Sequence, residues 1–312
     1  MKATAASARQ TVFRGRNRRT MCRLLGYISP TPASAADLIG AEECRQWQNL
    51  GRLHADGWGT AWIRPESDSA ESARPQGTTS GTFDTGPDVQ DTVSRGGRLE
   101  RYRTPHEGAD DPHLKEVLTV RPTVARITHL RMATHGAVDL TENSHPFLAD
   151  NIALAHNGSI HPIERLREYV TSAEAERIGG TTDTAILFAL ILRRVGQGES
   201  LFDATIATVR MLRSDFDHPG INLLVLNAEE MIVVHATAGT PIPYKNFDTS
   251  GTGGELPRDH KDHYYRMSWQ RFDDGAMIVS SSGLDHKGWR LIEQNTAMRL
   301  TLADEAETVV GL

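Results

Sequence analysis

The chain has 312 residues, 38% hydrophobic and 24% charged, enough for one large domain with a sizeable core or for two small ones. Basic side chains number 34 and acidic ones 40, a net charge of −6, which argues against nucleic acid or an anionic membrane as the main partner. The longest clean apolar run, Ala185–Leu192, is far short of the roughly 20 residues that span a bilayer, and the two cysteines, Cys22 and Cys44, exclude a disulfide scaffold and fit a reducing, cytoplasmic compartment.

Residues 1–20 hold six basic side chains (Lys2, Arg9, Arg14, Arg16, Arg18, Arg19) and no acidic one, leaving 28 basic against 40 acidic in the rest, a net of −12. This asymmetry marks residues 1–21 as an extension or removed leader, distinct from a domain over 22–312. A signal peptide would use the apolar run Met21–Ile28, but Arg23 interrupts that run and Pro30 ends it early. An Arg-rich, acid-poor transit peptide is a second reading. The third, preferred here, is a disordered extension or an upstream start codon, with translation beginning at Met21 and Cys22 exposed when that Met is removed.

Leu24–Ile28 reads as a short buried strand, and Ala33–Leu53 has helical apolar spacing through Ala36, Ile39, Trp47 and Leu50. An Asp56-Gly57 turn leads into a strand over Trp58–Ile63. Residues 64–115, rich in Pro, Gly, Ser and Thr, read as a long surface insertion with little periodicity. Strands follow at Val124–Leu130 and Asn151–Ala155, and helices at Ile163–Tyr169, Thr184–Val195 and Ser200–Leu212. The second of these helices is apolar almost all round and is expected to be covered on both sides. Ile221–Leu226 and Met231–His235 form a hairpin about Asn227–Glu230, residues 240–262 a Pro/Gly-rich loop, and Ala276–Val279 a last strand. Strands and helices in this mixed order suggest an α+β sandwich.

Four short stretches concentrate polar chemistry: Met21-Cys22-Arg23-Leu24-Leu25-Gly26-Tyr27, Thr128-His129-Leu130-Arg131-Met132-Ala133-Thr134-His135-Gly136, Ala155-His156-Asn157-Gly158-Ser159-Ile160, and Gly180-Thr181-Thr182-Asp183-Thr184. Singly, each has a plain structural explanation. Asn-Gly is a turn signal, and Asp183 with Thr182 is an ordinary start for the helix at Thr184. His129, His135, His145 and His156 suit no standard zinc spacing, so neither a metal nor another cofactor is expected. Cys44 and the tryptophans Trp47, Trp58 and Trp62 read as packing, and His54 with Asp56 as shaping a loop.

In this order and spacing the stretches resemble the class II glutamine amidotransferases, a family of N-terminal-nucleophile hydrolases. The resemblance covers roughly residues 22–300. It implies a four-layer αββα sandwich, Cys22 as nucleophile, Asn157 and Gly158 as oxyanion hole, and Arg131, Thr134, His135 and Asp183 as the site for the glutamine head group. Cys22–Tyr27 and Asn143-Ser144-His145-Pro146-Phe147 are similar to the stand-alone branch that includes the ergothioneine-pathway γ-glutamyl amidohydrolase. Near Ile278–Leu284, where that branch has Ser-Glu-Pro, Ser282-Gly283 departs from it. The implied reaction is hydrolysis of a γ-glutamyl amide with release of glutamate. The implied partners are a small γ-glutamyl substrate or glutamine. A glutaminase subunit feeding ammonia to a separate synthetase is the alternative; no synthase-like stretch follows the domain, which favours a self-contained enzyme.

The residue types suit that chemistry. An α-amine of pKa about 7.7–8.0 on Cys22 itself could take the proton of a thiol of pKa about 8.5, provided that Cys22 is the first residue. Asn157 and Gly158 offer two N–H donors at one place. A zwitterionic γ-glutamyl head needs one fixed cation and one fixed anion, which Arg131 and Asp183 supply.

Overall fold

The computed structural model describes residues 22–64, 97–132, 141–242, 263–284, 288–303 and 307–312. Thirteen strands and seven α-helices are found among them. In chain order they are β1 (Arg23–Ala33), α1 (Ala35–Ile39), α2 (Ala41–Asn49), β2 (Trp58–Arg64), β3 (Arg98–Thr104), α3 (Pro112–Thr119), β4 (Thr123–Leu130), β5 (Phe147–Ala149) and β6 (Ile152–Ser159). Then follow α4 (Ile163–Arg167), α5 (Ser172–Ile178), α6 (Asp183–Gly196), α7 (Leu201–Asp215), β7 (Gly220–Leu226), β8 (Glu230–Ala236), β9 (Met267–Arg271), β10 (Met277–Ser281), β11 (Arg290–Leu291), β12 (Thr296–Thr301) and β13 (Glu307–Gly311).

The strands form two antiparallel sheets, ordered β11-β9-β10-β1-β4-β2-β3 and β13-β12-β8-β7-β6-β5. Strand alternation divides the side chains into three apolar layers. Leu24 and Ile28 of β1, Ile127 of β4, Ala153 and Ala155 of β6, Leu224 of β7, Val233 of β8 and Val279 of β10 meet between the sheets. Leu25, Tyr27, Trp58 and Ile278 point outward from the first sheet against Trp47, Leu114 and Leu118 of α2 and α3. Leu154, Leu223, Val225 and Val234 point outward from the second sheet against α4–α7. The result is the expected four-layer αββα sandwich. Gly26 belongs to its middle: a Cβ there would meet Leu224 Cδ1 at 2.8 Å, so glycine lets the two sheets close.

Helix α6 explains its all-round apolar sequence, because Asp183–Leu192 are buried without interruption. The single helix expected over Ala33–Leu53 is instead two, broken at Gly40, whose φ of 88° ends α1 and precedes α2. The insertion expected over 64–115 is also narrower. Its C-terminal part forms β3 and α3, and residues 65–96 lie outside the described residues. In β3, Arg98, Glu100, Arg101 and Arg103 surround the buried Leu99, so alternation is hidden by charge. In α3, Asp111 caps the helix by accepting from His113 N at 2.8 Å, and Pro112 occupies the first turn. Residues 1–21 and most of the expected 240–262 loop also lie outside the described residues. No helix among the described residues is long and apolar enough to cross a membrane.

Candidate active site

The alternation that fills the core also builds the site. On β4, β6 and β7, the positions that continue the inter-sheet rows of Ile127, Ala155 and Leu224 are His129, Asn157 and Asn222, with Asn157 and Asn222 directly opposite each other. Cys22 precedes β1 and reaches across the gap: its backbone N–H donates to Asn157 Oδ1 at 3.1 Å. That bond fixes the Asn157 amide. With Oδ1 turned to Cys22, Nδ2 is buried and has no hydrogen-bond partner among the described residues. Leaving a buried donor unmade is costly, so Nδ2 is a place for a partner beyond the described residues.

Gly158 follows with φ 154°, and a Cβ at this position would overlap the Gly220 carbonyl of β7. Glycine is therefore required by close approach of two backbones. Behind it, His156 joins β6 to its neighbours, Nδ1 lying 2.9 Å from Thr184 Oγ1 and Nε2 2.9 Å from the Gly220 carbonyl.

The Cys22 thiol is buried, and burial pushes it up to about 12. A hydrogen bond from the Met132 backbone and the positive charges of Arg131 and Arg23 pull the other way, while Asp183 adds to the rise. Arg131 sits at the end of β4, where it is anchored twice: its N–H donates to the Gly57 carbonyl at 2.8 Å and its Nη1 to the Asp56 carbonyl at 2.8 Å. The Asp-Gly turn thus anchors the arginine at the Cys22 end of β4. Asp183 opens α6. Its Oδ2 accepts from Ile160 N at 2.8 Å and its Oδ1 from Thr184 N at 2.9 Å. The cap of α6 is Thr182, which accepts from Ala185 N, so Asp183 is the first helical residue and not the cap itself.

Cys22, Asn157, Gly158, Arg131 and Asp183 are therefore gathered at one end of the sandwich. Thr134 and His135 lie outside the described residues. Among the described residues no group of His, Cys, Asp and Glu is arranged to hold a metal ion. Sequence reasoning passed over His129, His145 and Arg23 as parts of the site. His145 Nδ1 lies 3.0 Å from His129 Nε2, and His129 Nε2 lies 3.3 Å from the His156 carbonyl. Burial drives all three histidines down, His129 to about 3, so they are neutral at pH 7 and none is a ready proton acceptor.

This has a measurable consequence. A histidine held neutral in the fold binds its proton near pH 6.5 only after unfolding, so stability is complete above about pH 6.5 and falls as pH drops toward the lowered folded value. Each such histidine is expected to cost about 1.4 kcal/mol per pH unit below pH 6.5. Urea melts between pH 7.5 and 5 should show a steep loss, and His129→Gln should make that loss shallower. Equal slopes for the variant and the parent would show that His129 is not held neutral.

Residues 96–243 match the family described as class-II glutamine amidotransferases. A glutamine–fructose-6-phosphate aminotransferase (isomerizing) of Pseudomonas syringae pv. tomato is 33% identical over 150 residues, covering 47% of this chain and 23% of that protein. The chain therefore spans about a fifth of the length of the curated relatives it matches. A glutamine aminotransferase class-II domain protein from Silicibacter pomeroyi superposes with a TM-score of 0.53 at 15% identity, over 93% of this chain and 99% of that one. Glutamine phosphoribosylpyrophosphate amidotransferase from B. subtilis gives a TM-score of 0.54 at 17% identity, over 93% of this chain and 49% of that one. The family match includes Arg131, Asn157, Gly158 and Asp183, and the structural likeness extends the same fold to both sheets. By this match residues 96–243 are similar to the class II glutamine amidotransferases, and the chain shares the fold of the two solved structures.

Proposed function

We propose that the protein hydrolyses γ-glutamyl amides, with Cys22 as nucleophile. The observation that carries this reading is the Asn157 amide, whose oxygen holds the Cys22 nitrogen and whose buried NH₂ group has no partner among the described residues. Arg131 receives the α-carboxylate of the γ-glutamyl head and Asp183 its ammonium, both charges lying beside the nucleophile.

The thiol is too weakly acidic to attack unaided, and the buried histidines are too weakly basic to help. The base that remains is the nitrogen of Cys22 itself. In mid-chain that nitrogen is an amide and binds no proton; as a free α-amine it can. In the proposed sequence the amine takes the Sγ proton, directly or through a water, and Sγ bonds to the γ-carbonyl carbon. The carbonyl electron pair moves to oxygen, where Asn157 Nδ2 and Gly158 N–H stabilise it. Collapse expels the leaving amine, which takes the proton, and leaves a γ-glutamyl thioester. Water then adds to the thioester with the same donors in place, and glutamate leaves as the thiol regains its proton.

Among γ-glutamyl amides, we propose conjugates of a small thiol metabolite as the first class to try. What supports this is the likeness of Cys22–Tyr27 and Asn143–Phe147 to the stand-alone branch. The second reading, a glutaminase handing ammonia to a synthetase, is favoured by the names of the curated relatives, which are glutamine-dependent aminotransferases.

Mass spectrometry of the N-terminus, paired with hydrolysis of a γ-glutamyl anilide and of glutamine, tests the reading. Activity is expected only in molecules that begin at Cys22. Full activity from a chain that still begins at Met1 would reject the amine as base, and preference for glutamine over every other amide would select the second reading.

A further inference from the structure

Arg23 is fully buried, one residue from the nucleophile, on the outer face of β1 by strand alternation. Its contacts are all neutral. Nε donates to His54 Nε2 at 3.1 Å, and Nη1 donates to the Tyr264 carbonyl at 3.2 Å and to Ser281 Oγ at 3.5 Å. The guanidinium lies 3.9 Å from the centre of the Tyr264 ring. No carboxylate among the described residues pairs with it, and Nη2 is buried with no hydrogen-bond partner among them.

Burying a cation without a counter-charge is among the costliest things a fold can do. A strand otherwise filled by Leu24, Leu25, Tyr27 and Ile28 would be better served by an apolar side chain at position 23. Ser282 Oγ donates to the same Tyr264 carbonyl at 2.7 Å, so the wall facing Arg23 is built from hydroxyls, an imidazole and an aromatic face, none of which removes its charge. The groups that meet Arg23 electrostatically are Tyr264, Tyr265 and Cys22. Those that meet Cys22 are Arg131, Arg23 and Asp183. Arg131 is committed by the proposed function to the substrate carboxylate, which would neutralise it on binding, and Asp183 opposes ionisation of the thiol. Arg23 is then the one cation near Cys22, among these, whose charge is not cancelled when the substrate binds.

We propose that Arg23 is a positioning residue for the nucleophile, its charge, which no carboxylate among the described residues pairs with, held at the start of β1 to favour the Cys22 thiolate. The proposal rests on the reading of Cys22 as nucleophile, deepens it, and adds a residue to the machinery. It also gives meaning to Ser282: a carboxylate at that position would face the guanidinium and quench its field.

The rate at which iodoacetamide alkylates Cys22 at pH 8, followed by peptide mass spectrometry with Cys44 as internal control, reads thiolate content without any substrate. Arg23→Gln is expected to slow alkylation about tenfold, the effect of one pKa unit. Arg23→Lys, which keeps the charge and loses the fork, should stay within about threefold of the parent. Ser282→Glu leaves Arg23 in place and should also slow the reaction about tenfold, which keeps the question answerable if Arg23→Gln does not fold. Parental rates in Arg23→Gln or Ser282→Glu of unchanged melting temperature, or equal rates in the Lys and Gln variants, would overturn the proposal. If the alkylation pattern holds while the parent hydrolyses no γ-glutamyl amide, the proposed substrate fails and the role of Arg23 stands.

Discussion

Asn157→Ala is expected to lower kcat for γ-glutamyl amide hydrolysis by about 10²–10³ and to change KM little. The donor removed acts on the oxygen only once it carries negative charge, so the loss falls on the transition state. The substitution also removes the acceptor that holds the Cys22 nitrogen, and the two effects need separating. Asn157→Asp does so: it keeps an oxygen for Cys22 N and replaces the donor by a negative charge where the oxyanion forms. Its kcat is expected to be at least as low as that of the alanine variant. Single-turnover kinetics and melting temperature, measured on the same preparations, decide the matter. An Asp variant that turns over at the parental rate would show that Oδ1 is the functional atom and Nδ2 a bystander. Early melting with an unchanged rate would reduce Asn157 to a structural residue.

Gly158→Ala is expected to destabilise the fold by about 3 kcal/mol, the upper part of the range for overpacking a rigid site. The added methyl would overlap the Gly220 carbonyl and approach His156 Nε2 to 2.9 Å, so β6 and β7 must part to admit it. That movement would strain the bond from His156 to the same carbonyl. Gly179→Ala is the comparison: its φ of 68° imposes a backbone cost, but nothing lies within 4 Å of the added carbon. About 1 kcal/mol is expected there. Urea denaturation of both variants measures the difference, and equal losses would show that the close approach of β6 to β7 is softer than its geometry implies.

The layers were legible because their signal is periodic. Leu24–Ile28 and Ile221–Leu226 announce strands, and the apolar run in α6 announces a helix covered on both sides. Edge elements were not. β3 carries four charged residues in seven, and α5 spreads its single buried residue, Ile178, among polar neighbours. β12 pairs on one side with its chain neighbour β13, but on the other with β8, far back in the sequence, which no local pattern records. In the site, Cys22, Arg131, Asn157, Gly158 and Asp183 stand in motifs and were found that way. Arg23 stands in the same motif, yet only the structure tells that its charge is buried and that no carboxylate among the described residues meets it. The trio His129, His145 and His156 was visible as four scattered histidines with His135. Its internal hydrogen bonds depend on three strands and a loop coming together.

The bond from Cys22 to Asn157 joins a strand of one sheet to a strand of the other. In the proposed mechanism neither half of the sandwich therefore owns the reaction: Cys22 travels with β1 and the Asn157 amide with β6. Their alignment is inherited from the fit of Gly26 against Leu224 and of Leu24 among its neighbours, positions that never meet a substrate. A substitution that shifts one sheet against the other would therefore part Cys22 from Asn157 without touching either residue.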